Sequence, residues 1–178
     1  MSKRMTVVAA LVGGALFLGP EVVAGCGDKF VLLGRGARVA RSKFPSTILI
    51  YMNPSSRVPA ADKEFRLEAT LKAAGHKAKV AESEAEVQTA LASGKYDLVL
   101  ADFVDVPEMR KDAGTTASKP LVLPLLYKPT TAELAAAEKD AQCMVRPSKQ
   151  SRDLLVVVDQ AMQDRRKGDG AICQNASR

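Results

Sequence analysis

From Thr47 onward, apolar and polar positions follow two alternating rhythms. Thr47-Ile-Leu-Ile-Tyr51 is a short β-branched, apolar run, suited to a strand buried on both faces. Asn53-Pro-Ser-Ser-Arg-Val-Pro59 is turn-rich. Asp62 to Ala74 then carries Phe65, Leu67, Ala69, Leu71 and Ala74 at broadly helical spacing, and Gly75 stops the helix. Lys77 to Ala81 alternates like a strand with one wet face. Ser83 and Glu86 form a Ser-x-x-Glu box that opens a helix running through Val87 and Leu91 to Gly94.

The rhythm repeats in the second half. Asp97 to Ala101 reads as a buried strand and Val106 to Asp112 as a weak helix. Pro120 to Leu123 is a strand ended by Pro124. Thr130-Thr-Ala-Glu133 is a second capping box, opening a helix to about Asp140. Cys143-Met-Val145 is a short strand. Ser151 to Lys167 is the last helix, with Leu154, Leu155, Val158, Ala161 and Met162 on one face. Five strands alternating with five helices through short connections predict an α/β fold, a three-layer α/β/α sandwich. Right-handed crossovers favour a five-stranded parallel sheet of order 2-1-3-4-5, flavodoxin-like. The predicted domain spans 47–167, with an extension over 26–46 and a tail over 168–178. Phe30-Val-Leu-Leu33 in the extension is an added strand or a packed apolar patch, and Gly34-Arg-Gly36 is a turn.

Residues 1–25 change the picture of where the chain works. Lys3 and Arg4 precede an apolar run from Thr6 to Leu18, and small residues follow up to Ala24-Gly25. This is the order of a secretory signal peptide. The run is shorter than the roughly 20 residues that a bilayer span needs. The expected location is therefore the periplasm or another extracytoplasmic space. Val23-Ala-Gly-Cys26 also resembles a lipobox, which leaves Cys26 two fates: a lipid anchor, or an ordinary thiol or disulfide partner after cleavage.

Composition narrows the function classes. Losing Lys3, Arg4 and Glu21 takes the net charge from +6 to +5. Trp is absent, and with 3 Tyr and 5 Phe the chain lacks material for base-stacking platforms. The basic residues are scattered apart from Arg35/Arg38/Arg41/Lys43 and Arg165-Arg-Lys167. No nucleic-acid partner is expected, and a membrane enters only through a lipid at Cys26. No spacing of His, Cys or carboxylates suits a metal, and no cofactor is implied. His76, the one histidine, follows Gly75 at a helix end, where an exposed cation suits the dipole.

Tyr96-Asp-Leu-Val-Leu-Ala-Asp102 carries a family resemblance: a buried strand ending on an aspartate. Together with Arg146-Pro147, and with Leu154 and Leu155 in the last helix, it makes residues 46–166 resemble the receiver domains of bacterial response regulators. The resemblance implies a phosphorylatable Asp102. The rest of the implied site departs from the family. Met52 and Asn53 stand where two acidic residues would hold Mg²⁺, and a thioether and an amide do not replace two carboxylates. Leu125 stands where a Ser or Thr would bind the phosphoryl group. Arg146 replaces a lysine, and a guanidinium is not an equivalent point charge. The expectation is a degenerate, non-catalytic module whose partner is an unidentified envelope protein. Asp102 is expected to pair with Arg146 or to cap the following turn.

Two surfaces compete for the functional role. The resemblance implies a partner face near the fourth helix, where Leu125-Leu126-Tyr127 is either an exposed protein anchor or a cover on the open end of the sheet. Asn53, Asp102, Tyr127 and Arg146 would line a small-molecule crevice at the strand ends. Finally, the last helix should return antiparallel to the fifth strand. That brings Cys173 beside Cys143 for a disulfide worth about 3–4 kcal/mol, in a compartment that permits it. Cys26 paired with either is the alternative.

Export is testable by intact mass. Protein recovered from outside the cytoplasm should lack residues 1–24 or 1–25, and an added diacylglycerol would identify the Cys26 lipoprotein form. A full-length mass would overturn the assignment.

Overall fold

The computed structural model describes residues 30–33, 37–140, 144–147 and 151–168. The cleavage region, the Gly34–Gly36 turn, all three cysteines and the tail beyond Gly168 lie outside them. The chain is α/β. A hairpin of β1 (Phe30–Leu33) and β2 (Ala37–Ala40) precedes β3 (Thr47–Tyr51), α1 (Val58–Phe65), α2 (Leu67–Ala73), β4 (Lys77–Ala81) and α3 (Glu84–Ala92). Then come β5 (Leu98–Asp102), a 3₁₀ turn at Phe103–Asp105, α4 (Val106–Thr115), β6 (Leu121–Leu125), α5 (Thr131–Asp140) and α6 (Ser151–Lys167).

β4, β3, β5 and β6 form a parallel sheet in that order, compatible with a flavodoxin-like arrangement. Five residues of β5 and four of β3 are buried, which explains their near-continuous apolar runs. Two cores flank the sheet. Ile48, Ile50, Leu98 and Leu100 face α1, α2 and α6, while Leu49, Val99 and Ala101 face α3 and α4.

The expected fifth strand is, among the described residues, one bridge. Val145 lies parallel to β6, donating its N–H to the Pro124 carbonyl at 2.8 Å and accepting from the Leu126 N–H at 2.8 Å. Two prolines limit it. Pro124 has no N–H for the residue before the bridge, and Pro147 has none to donate onward to Leu126. Pro124 does not end β6 as expected, because its nitrogen faces away from β5 and the pairing of Ala101 with Pro124 continues to Asp102 with Leu125.

The helix predicted over 62–74 starts earlier and is broken. Pro59 suits the first turn, and Arg66 adopts a left-handed conformation at φ 51°. The break resets the helical phase. Ala61 and Leu67, six positions apart and so about 120° apart on an unbroken helix, are both fully buried in one core. Both N-caps form: Ser83 Oγ accepts from the Glu86 N–H at 3.3 Å, and the Thr130 hydroxyl accepts from the Glu133 N–H at 3.2 Å. Glu133 returns the bond to the Thr130 N–H, whereas Glu86 reaches one residue further back, to Glu82.

The segment before β3 is fastened at the N-terminal end of the strands. The Ser42 N–H donates to the Ala74 carbonyl at 2.9 Å. The Ser42 hydroxyl and the Lys43 N–H both donate to the Asp159 carboxylate, and the Arg166 guanidinium lies over the Phe44 ring. The extension is thus a β-hairpin plus a docked linker. His76 belongs to this contact and is not the exposed helix-end cation that the sequence suggested. Gly75, at φ 99°, turns the chain so that the ring folds inward to 4% exposure. Its Nδ1 lies 2.9 Å from Ser46 Oγ, and its buried Nε2 has no partner among the described residues.

Burial pushes the His76 pKa below 6.5, against the opposing pull of Asp159. A histidine that resists protonation when folded leaves stability intact above 6.5 and removes it as pH falls through the lowered folded value. Urea midpoints should therefore fall between about pH 7.5 and about pH 5, and His76→Gln should flatten that fall. Parallel curves for the two proteins would refute the role.

Candidate functional site

Parallel α/β sheets place their sites where neighbouring strands send their connections to opposite sides. Here that point lies between β3 and β5, beyond their C-terminal ends. The loop after β3 is folded around Asn53. The Asn53 side-chain oxygen accepts from the Ser55 N–H at 3.0 Å, and its carbonyl accepts from the Ser56 N–H and hydroxyl at 2.9 and 2.8 Å. This turn delivers Arg57, the N-cap of α1, to the end of β5.

Asp102 meets it there. The Asp102 side chain is 2% exposed. Oδ2 accepts the Arg57 backbone N–H at 2.8 Å and lies 3.8 Å from the Arg57 Nε. Oδ1 accepts the Val104 N–H at 3.4 Å, capping the 3₁₀ turn. The carboxylate also sits at the N-terminal end of α1, where the helix dipole favours negative charge. The expected capping role of Asp102 holds, but its cation is Arg57, not Arg146.

The Arg57 guanidinium continues outward. It donates to Glu133 Oε1 at 2.6 Å and Oε2 at 3.0 Å, a bidentate pair, and to the Lys128 carbonyl at 3.3 Å. These bonds, with the Thr130 N–H and hydroxyl, hold the Glu133 carboxyl down from 4.5 to about 2. Its contribution is therefore complete above 4.5 and is lost only as pH falls through about 2. Beside this clasp, Asn53 Nδ2 donates to Asp105 Oδ1 at 3.2 Å. Asp105 Oδ2 is buried without a partner among the described residues. Burial raises the Asp105 pKa, Asn53 opposes the rise, and the Asp102 charge adds to it.

The four sequence-derived crevice residues are not gathered. Asn53 and Asp102 belong to the network. The Tyr127 hydroxyl donates instead to Glu64 Oε2 at 2.5 Å, its ring meets Phe65 edge-on, and Lys128 lies over it at 4.7 Å. Arg146 pairs with Glu138 at 2.6 Å on the surface. The strand-end crevice is filled by the protein's own Arg57 and Asn53. Leu125, Leu126 and Tyr127 are 0%, 3% and 8% exposed, so they cover the sheet end and offer no exposed anchor. The reason is packing: Leu125 and Tyr127 join the core that α1, α2 and α6 close.

Sequence reasoning missed Arg57, Asp105 and Glu133. The available signals were a cation in the turn after the first central strand and an acid three residues beyond Asp102. Glu133 was read only as a capping residue, and it does both jobs. Among the described residues, no group of three His, Cys, Asp or Glu side chains is arranged to hold a metal ion. Comparison with protein-family models, curated proteins and solved structures gives no match.

Arg57→Ala should cost about 1–3 kcal/mol, because it strips the cation from a buried carboxylate while leaving the backbone donors in place. Glu133→Gln should cost clearly less, since it removes one end of a partly exposed ion pair and leaves Arg57 beside the buried Asp102. Urea denaturation compares them; equal losses would show that Asp102 does not depend on Arg57.

Proposed function

We propose that this chain is an exported, receiver-like module that acts by binding a protein of the bacterial cell envelope, without catalysing phosphoryl transfer. The observation that carries this reading is the sealing of Asp102. A phosphoacceptor must present a free carboxylate oxygen to an incoming phosphoryl group and must sit among groups that neutralise the added charge. Both oxygens of Asp102 are already bonded, and the one cation paired with it among the described residues, Arg57, is divided between Asp102 and Glu133. Met52 and Asn53 supply no carboxylates beside it, and Leu125, in the place of a hydroxyl residue, is buried.

The charge cluster of this reading is an internal brace that fixes the surface around it. That surface includes Val104, 62% exposed on the turn that Asp102 caps, while Val156 is 49% exposed on α6. Apolar side chains held out on rigid turns make effective anchors for a partner. The order of charges and apolar residues in residues 1–25 supports an extracytoplasmic setting, and Cys26 supports a lipid tether to the membrane.

The tests separate the two halves of the reading. Incubation with acetyl phosphate and Mg²⁺ should leave the intact mass unchanged. A stoichiometric gain abolished by Asp102→Asn would overturn the non-catalytic assignment. Cross-linking of tagged protein in cells should recover an envelope protein in wild type and lose it in Val104→Asp at unchanged thermal stability. Equal recovery from both would remove Val104 from the partner face.

A further inference from the structure

We infer that the cleft between α3 and β4 binds a small amphipathic anion: an apolar body with a carboxylate or similar head. β4 is the outer strand of the sheet, and α3 covers it incompletely. Ala85 and Ala90 of α3, Ser93 at its C-cap, and Lys79 and Ala81 of β4 line an open cleft of about 650 Å³. That lies within the roughly 300–1,000 Å³ of small-molecule sites. Leu49, Ala81 and Ala90 make its floor apolar, so a ligand's body gains by leaving water there.

The polar groups of the lining decide the charge of the ligand. Thr89 and Ser93 also line the cleft, but their hydroxyls donate to the carbonyls of Ala85 and Ala90 in their own helix. Glu86, the one acid, is engaged at the N-terminus of α3, where its Oε2 accepts the Glu82 N–H at 2.8 Å. The remaining groups are all donors. Lys79 and Lys95 make no hydrogen bond or ion pair among the described residues, and neither does the Tyr96 hydroxyl, although its ring is buried. Two ammonium groups and a phenol around an apolar floor match an anionic head on an apolar tail. The cleft is on the sheet's flank, apart from the Asp102–Arg57 clasp.

Decanoate below its micellar concentration is a suitable probe, with decanol as its neutral counterpart. Calorimetric titration of the purified chain should show saturable one-to-one decanoate binding, at least about tenfold tighter than decanol. Lys79→Gln combined with Lys95→Gln should bring decanoate down to the decanol level. Thr89 lines the cleft and its side chain is solvent-exposed, so Thr89→Trp should fill the cleft without unfolding the chain and abolish both. Absence of saturable binding to a folded wild type overturns the inference. So does decanoate affinity that survives either variant with an unchanged circular dichroism spectrum.

Discussion

A carboxylate shut away from water at the end of a central strand has to find hydrogen-bond donors and a cation to offset its lost hydration. Asp102 imposes that requirement on this molecule, and three elements answer it. The turn after β3 supplies the Arg57 N–H and guanidinium, the turn after β5 supplies the Val104 N–H, and α5 supplies Glu133 to hold the guanidinium in place. The loop around Asn53, the start of α1 and the entry to α5 are therefore fixed together. A site that in related architectures lies open to ligands is here occupied by the protein's own side chains.

The other end of the sheet is closed by a different chemistry. The linker before β3 docks through Asp159, which takes two donors from Ser42 and Lys43, and through the buried His76. One end is held by an ion pair and the other by hydrogen bonds from uncharged donors to the Asp159 carboxylate, beside a histidine whose pKa burial lowers. The two ends accordingly respond to different pH ranges. The atoms without a partner among the described residues, Asp105 Oδ2 and His76 Nε2, mark one point of polar tension at each end, both raised in cost by the same desolvation.

With both strand ends occupied, the surfaces left for binding are on the flanks. Among the described residues, pairing beyond β6 is limited to Val145, flanked by Pro124 and Pro147, which cannot donate to a ladder. On the opposite flank, small side chains on α3 leave the cleft beside β4. The exposed Val104 stands on a turn that the Asp102 cap makes rigid. The crevice where a parallel sheet would ordinarily hold its ligand is thus filled by the chain itself, and the open surface lies on the flanks.

The alternation of strands and helices, the buried character of β3 and β5, both N-caps and the position of Asp102 at a strand end were all readable from the sequence. Each depends on residues within a turn or two of one another, so periodicity and spacing encode them directly. The break at Arg66 was not readable, because a left-handed arginine is imposed by the need of both Ala61 and Leu67 to reach one core. The partner of Asp102 was not readable either: Arg57 is 45 residues away in sequence, and Glu133 is 76 from Arg57. Arg146 was as good a candidate by sequence as Arg57, and only the placement of the loops over the sheet selected between them. The same holds for Leu125, Leu126 and Tyr127, whose apolar character fits either a cover or an exposed anchor. Which side of that choice a residue falls on depends on what the crossovers bring against it, and no local pattern carries that information.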